Sequence, residues 1–346
     1  MKLSVQLIEP KDVNDWEKSI QITPQYSIFH SMNWANVLIN TYHYRPYYLQ
    51  ISQSNKIVAF IPLMEVKNIF QKKNAVSIPF ADFCEPIIFS DDTQSSVFKQ
   101  IFDYGKIKGW HTIEFRGPIH NHFNAKPTLE FFHHSINLLK TEEQLFNSLT
   151  KMTQRNIIKS QKCNLRYEIS TTFDSVKKYY QIHCITRKNL GVPPQPFSFF
   201  VNIFEHILKE KKGFIIFAYH KDIVIAGQIY FVYCKKALFK FGASIKKYQN
   251  TKPNNFLIWE TIKWLKRNKI EYLSLGRTDL WNEGLRKFKN GWGASETRLF
   301  YFTYDLEKES FITSNSQNIH WYFNIFRHFP VTLLKWIGFI AYKYMG

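Results

Sequence analysis

Cysteine is scarce in the 346-residue chain, and the four present, Cys84, Cys163, Cys184 and Cys234, are far apart, with neither C-x-x-C spacing nor a histidine at zinc-site distance. This excludes a disulfide framework, implies no metal and predicts reduced thiols. Long apolar runs are missing as well. No stretch reaches the ~20 uninterrupted apolar residues of a spanning helix. The segment 1–12 lacks the apolar run and small-residue cleavage site of a secretory signal. A cytoplasmic location is therefore expected. Acidic residues are few, 27 against 46 Lys plus Arg, for a net charge of +19. That balance favours an anionic partner such as a nucleic acid, a phosphorylated substrate or an anionic membrane surface; compositional drift toward Lys, Asn, Ile and Phe is the competing reading of the same charge. No RRM, KH or zinc signature accompanies the charge.

Apolar residues make up 45% of the chain and aromatics 17%, enough side-chain area for two packed cores at this length. Two β-hairpin patterns look alike. Tyr47–Ile51 and Ile57–Leu63 flank a turn-forming Ser52–Lys56, and Phe214–Tyr219 and Ile223–Tyr233 flank His220–Asp222. After a comparable interval each is followed by a helical segment, Thr93–Lys108 or Pro253–Asn268, and then a strand running into Gly and Arg, at Trp110–Gly117 or Ile270–Arg277. A duplicated α/β unit is the reading. The predicted domains are 1–140 and 141–305, with 306–346 as a helical tail.

Thr141 to Gln144 has capping-box spacing, so a helix is expected to start there. Along it Lys151, Arg155, Lys159 and Lys162 share one face, while Leu145, Leu149 and Met152 lie toward another. The basic stripe suits phosphate or a solvated face. A second helix, 174–190, is expected to stop at Gly191 before Pro193, Pro194 and Pro196. Phe199, Phe200, Ile203, Phe204, Ile207 and Leu208 then read as core. The tail 319–344 is rich in Trp, Phe and Ile and carries Arg327, Lys335 and Lys343. It suits an interfacial amphipathic helix at the inner membrane or a strap packed on the second domain.

The densest polar constellation is Gly276–Gly293, with two arginines, two lysines, two tryptophans and four glycines. Such a set suits an anionic substrate with a flat or sugar-like portion, since Arg and Lys donate to anions and Gly lets backbone approach. Arg187, at a helix end, suits a carboxylate or phosphate, but the helix dipole alone also accounts for a cation there. His183, at helical spacing from Tyr179, Tyr180 and Arg187, reads as packed.

These residues resemble the FemAB-like, GNAT-fold acyltransferases of bacterial envelope-polysaccharide and peptidoglycan-bridge assembly. The likeness rests on Arg155-Asn156-Ile157-Ile158-Lys159, on Thr186-Arg187 with Gly191-Val192-Pro193, and on Pro253-Asn254-Asn255 with Trp259. It continues through Gly276-Arg277-Thr278-Asp279, Asn282-Glu283-Gly284-Leu285, Phe288-Lys289 and Trp292-Gly293. It spans most of the chain, from Phe29-His30-Ser31 with Trp34 to Phe329-Pro330 and Gly338.

The resemblance implies two tandem GNAT-like α/β domains in which an activated acyl or aminoacyl donor meets an amine of a cell-envelope precursor. It implies Trp34 and Asp82 on the acceptor side, Arg155, Arg187, Arg277 and Lys289 as anion contacts, and Asn282 and Trp292 as further substrate contacts. Asp279 is the first candidate for base or amine positioning and Asp82 the second. No cofactor is tightly bound; acyl-CoA or aminoacyl-tRNA serves as donor substrate. A GNAT holds the pyrophosphate of coenzyme A on a Gly-rich turn at a helix start. The matching stretch 244–253 has no glycine, which favours aminoacyl-tRNA or a carrier-bound donor. The competing reading is a non-catalytic RNA- or envelope-precursor-binding protein on the same fold.

Overall fold

A computed structural model describes residues 3–8, 13–89, 93–117, 125–313 and 326–345. In chain order the N-terminal elements are β1 (Leu3–Ile8), α1 (Val13–Gln21), α2 (Met32–Tyr42), β2 (Arg45–Gln53), β3 (Lys56–Lys67), β4 (Lys73–Val76) and β5 (Ile87–Ile88). Next come α3 (Gln94–Lys108), β6 (Thr112–Arg116), β7 (Leu129–Asn137), α4 (Glu142–Ser148), α5 (Lys151–Gln161), β8 (Leu165–Ser170), α6 (Phe173–Leu190) and α7 (Phe197–Ile203). The rest are β9 (Gly213–His220), β10 (Ile223–Tyr233), β11 (Lys236–Ser244), α8 (Pro253–Arg267), β12 (Tyr272–Asp279), α9 (Glu283–Asn290), β13 (Ser295–Asp305), β14 (Ser310–Phe311) and α10 (Val331–Ala341). The chain divides into two compact units: one of 1–131, 299–317 and 341–346, the other of 132–298 and 318–340.

The first unit carries the strand order β1-β2-β3-β4-β6-β13. Its hairpin β2–β3 closes through Ser54 and Asn55, both left-handed at φ 49° and 65°, as a two-residue turn matched to strand twist requires. After β4, helix α3 crosses over and stops at Gly109, whose φ of 69° suits a residue without Cβ. Strand β6 then pairs parallel to β4 over Asn74↔Thr112, Ala75↔Ile113 and Val76↔Glu114. Leu49, Ile61, Phe98, Ile101, Ile113, Phe115 and Phe302 fill the core.

The second unit repeats the scheme. Hairpin β9–β10 turns at Lys221 (φ 55°), β11 follows antiparallel to β10, α8 crosses, and β12 pairs parallel to β11. Its order is β7-β12-β11-β10-β9-β8. Helix α8 covers one face, with Phe256, Leu257 and Ile262 against Phe214, Ile216, Leu273 and Leu275. Helix α6 covers the other, where Ile182 and Phe217 lie so near Gly227 that an added Cβ would stand 3.0 Å from each. Alternation of side chains along β9 produces the two apolar faces.

The capping box forms as expected: Thr141 Oγ1 accepts from Gln144 N, and Gln144 Oε1 accepts from Thr141 N. The helix it opens ends early, however. Leu149 is extended, and Thr150 caps a fresh helix through its hydroxyl to Thr153 N, so α4 and α5 replace one continuous helix. This break re-phases the faces. Leu145 and Leu149 stay buried, but Met152 is 65% exposed. Lys151, Arg155, Lys159 and Lys162 are all exposed. Gly191, at φ 72°, ends α6, and Phe199, Phe200, Ile203, Ile207 and Leu208 are buried. The tail residues 319–325 lie outside the described residues.

Candidate functional site

Parallel pairing between β11 and β12 lasts for three residue pairs, Lys236↔Tyr272, Ala237↔Leu273 and Leu238↔Ser274. Both strands then run on, to Ser244 and Asp279, without pairing to each other. Two strands that part in this way leave main-chain donors and acceptors on their facing edges that need partners.

Each edge is irregular where it parts. The register of β10 with β11 shifts between Ile229↔Phe241 and Tyr230↔Phe239, so Lys240 is an extra residue on β11. A bulge bends its strand and re-aims the backbone beside it. On β12, Gly276 takes φ 73°, a left-handed step that favours glycine. Buried Lys289 meets this step: its Nζ donates to Gly276 O at 3.0 Å and to Arg277 O at 2.8 Å. Near the end of β11, Ser244 N donates to Thr186 Oγ1 at 3.0 Å, tying α6 to the strand.

The β11 side is stiffened by a polar chain. Tyr230 OH donates to Gln228 Oε1 at 2.7 Å, and Asn254 Nδ2, in the first turn of α8, donates to Ser244 Oγ at 3.3 Å. Gln228 is fully buried, so it must be hydrogen-bonded to be tolerated. On α6, His183 Nε2 lies 2.9 Å from Gln195 Oε1. Burial, then the nearby Arg187 charge, push His183 down to about 3 from the usual 6.5, keeping it neutral. On the β12 side, Ser274 Oγ accepts from Gly276 N at 3.1 Å and lies 2.9 Å from His133 Nε2. Helix α9 is clamped by Glu296, which accepts from Arg286 at 2.7 and 2.8 Å and from Asn290 at 3.0 Å. The Arg286 guanidinium is the main reason that the Glu296 carboxyl falls to about 2.

Of the residues expected from the sequence, Arg277, Asp279, Asn282 and Lys289 come together at the end of β12. Asn282 N donates to Asp279 O at 3.0 Å, and Asn282 Oδ1 caps α9 through Leu285 N. Arg277 is exposed and Asp279 half-buried. Lys289 directs its ammonium to the two β12 carbonyls, and Trp292 is 1% exposed within the core cluster of the second unit. Both have structural duties in this geometry. Arg187, half-buried, donates through Nε to Pro193 O at 3.3 Å beside the Thr186 tie. Arg155 sits on the exposed face of α5. Trp34 and Asp82 belong to the first unit and meet one loop: Trp34, fully buried, donates through Nε1 to Pro79 O at 3.4 Å, and Asp82 O accepts from Tyr301 OH at 2.6 Å.

Sequence reasoning passed over Gln228, Ser244, His133, Ser274 and Glu296. One signal was available. Gln228 interrupts the apolar run Ile223–Tyr233, and a polar residue inside a buried strand needs a reason.

Strands and helices laid out on one plan in both units, with a parted parallel pair next to a bulged strand and a helix start in the second, make a tandem GNAT-like fold, that of acyltransferases. Residues 148–290 match the family described as acetyltransferase (GNAT) domain, so the second unit carries a GNAT acetyltransferase domain. Similar solved structures include FemX, at TM-score 0.68 and 11% identity over 86% of this chain and 96% of that one. A tandem GNAT protein from the clavulanic acid biosynthesis pathway aligns at TM-score 0.58 and 8% identity over 88% and 99%. The C-terminal domain of a putative lysylphosphatidylglycerol synthetase from Agrobacterium fabrum aligns at 0.55 and 13% over 85% and 92%. These likenesses are of fold. No curated protein matches the sequence.

Proposed function

We propose that this acyltransferase moves an acyl or aminoacyl group from an activated ester or thioester to an amine of a cell-envelope precursor. The observation that carries the reading is the parting of β11 and β12 after three pairs, next to the bulge at Lys240. A donor carbonyl laid between the strands meets main-chain amides of the bulged edge, which stabilise the oxyanion as a neutral amine attacks. The N–C bond forms, the C–O or C–S bond breaks, and Asp279 takes the amine proton and returns it to the leaving alkoxide or thiolate. Asp82 is the second candidate base. Arg187 and Arg277 hold the anionic part of the donor, with Arg155 and the rest of the α5 stripe extending the basic surface. Asn282, Lys289 and Trp292 shape the β12 end, and Trp34 with Asp82 serves the acceptor.

The fold of FemX and of the lysylphosphatidylglycerol synthetase domain supports the envelope reading. In the place of a Gly-rich phosphate turn stands a short 3-10 helix, Lys246–Thr251, followed by Pro253 at the first position of α8. Proline brings no amide to an anion, which supports aminoacyl-tRNA over acyl-CoA as donor. Domain limits of 1–140, 141–305 and 306–346 and action at the cytoplasmic face go with this reading.

The test pairs mass spectrometry of envelope precursors from cells with and without the protein with assays of the purified chain on acetyl-CoA and on charged tRNA. A mass gain on an amine, reproduced in vitro and lost in Arg277→Ala, is expected. Retention of tRNA with steep salt dependence and no amine-dependent turnover would replace the enzyme by the binding-protein reading.

A further inference from the structure

Helix α10 has two opposite faces. Leu334 and Gly338 are buried, and Gly338 packs so tightly that a Cβ there would stand 2.0 Å from Pro194 O. The other face carries Leu333 (40% exposed), Trp336 (62%), Phe339 (64%) and Ile340 (38%). At 100° per residue these four side chains fall within a continuous arc of about 120°. Lys335 borders the arc, its ammonium 5.2 Å from the Tyr180 ring. A contiguous apolar arc with two large aromatics marks an interaction site, unlike single exposed apolar side chains.

We propose that this face of α10 lies in the headgroup region of an anionic lipid surface, with Trp336 and Phe339 inserted and Lys335 over lipid phosphates. Charge identifies the occupant. From Phe326 to Met345 the chain has Arg327, Lys335 and Lys343 and no acidic residue, within a protein of net charge +19. A second copy of so basic a chain would be repelled, whereas anionic lipid is attracted. Trp and Phe at the boundary with Lys alongside is the composition of an interfacial helix. Among the described residues no helix is long and apolar enough to cross a membrane, so the contact is peripheral.

The full chain should co-sediment with vesicles of phosphatidylcholine and phosphatidylglycerol far better than with phosphatidylcholine alone. The double variant Trp336→Glu, Phe339→Glu should lose that affinity by about 30-fold or more. Lys335→Gln should lower it about fivefold on the anionic vesicles only. Brominated lipid should quench part of the tryptophan fluorescence of the unaltered protein, and Trp336→Phe should abolish that part. Absence of quenching, or vesicle binding unchanged by the double variant, overturns the proposal. So does sedimentation of the wild type as a dimer that the double variant converts to monomer, which would make a second copy the occupant.

Discussion

The two halves share one plan and treat the same position oppositely. In both, a third strand pairs parallel with the strand after the crossover helix for three residues, β4 with β6 and β11 with β12. In the first unit the chain itself then fills the opening. Ser77 N donates to Glu114 O and Cys84 N to Arg116 O, each at 2.7 Å, so the loop 77–84 takes the place of further pairing. Buried Arg116 holds this loop, donating to Ile78 O and Ala81 O at 3.3 Å while paired with Glu114 at 2.8 Å. Ile78 and Phe80 are left-handed at φ 55° and 57°. For a branched or bulky residue that costs on the order of 1–3 kcal/mol, tolerated because the surroundings over-determine it. In the second unit the strands diverge, with side chains of Thr186 and Lys289 on their edges. The duplicated scaffold thus closes one copy with its own loop and leaves the other parted. The GNAT family match, confined to 148–290, falls in the copy that stays parted.

The sharpest way to break this contrast is at the two carboxylates. Asp279→Asn is expected to lower turnover by about 10² to 10⁴ with unchanged thermal unfolding, as loss of a general base does; Asp82→Asn should cost less. The reverse order in steady-state rates would move the chemistry to the sealed copy. Next in size, Arg116→Met leaves Glu114 and two loop carbonyls without their cation and should destabilise the chain by about 3 kcal/mol in a urea titration. A loss under about 1 kcal/mol would mean that the loop closes without the arginine.

The third effect depends on pH. His183 is held at about 3 in the folded chain against 6.5 ordinarily, so the unfolded chain binds the proton first. Its contribution is complete above pH 6.5 and is lost progressively as pH falls toward 3. His183→Gln should flatten that part of the stability profile measured by denaturant midpoints, and an unaltered slope would show that the imidazole is not buried. Smallest is Thr186→Val, which removes the hydroxyl bonded to the end of β11 and should cost about 1 kcal/mol by the same measurement.

Local signals made much of the fold legible. The hairpins, the Thr141 to Gln144 box and the Gly191 stop each depend on neighbours a few residues apart. The break at Leu149 was hidden because Thr150 is an unremarkable residue until its hydroxyl finds Thr153 N. The candidate site was legible as composition and opaque as geometry. Lys289 and Trp292 stand in a Gly-rich cationic block that resembles a ligand cradle. Only the long-range course of β12 shows the ammonium on two main-chain carbonyls and the indole inside the core. The parting of β11 from β12 is likewise a matter of register between segments more than thirty residues apart, on which local pattern is silent.

The noncontiguous make-up of the first unit bears on how the protein is made. Its strand β6 pairs with Tyr301–Asp305, residues a ribosome adds long after residue 131 has emerged. During that interval the nascent first half presents an unsatisfied strand edge, and the second unit, complete by residue 298 apart from its 318–340 segment, has time to fold first. A stop codon near position 298 would therefore do more than shorten the chain: it would strand the half already synthesised in a form prone to pair with its neighbours.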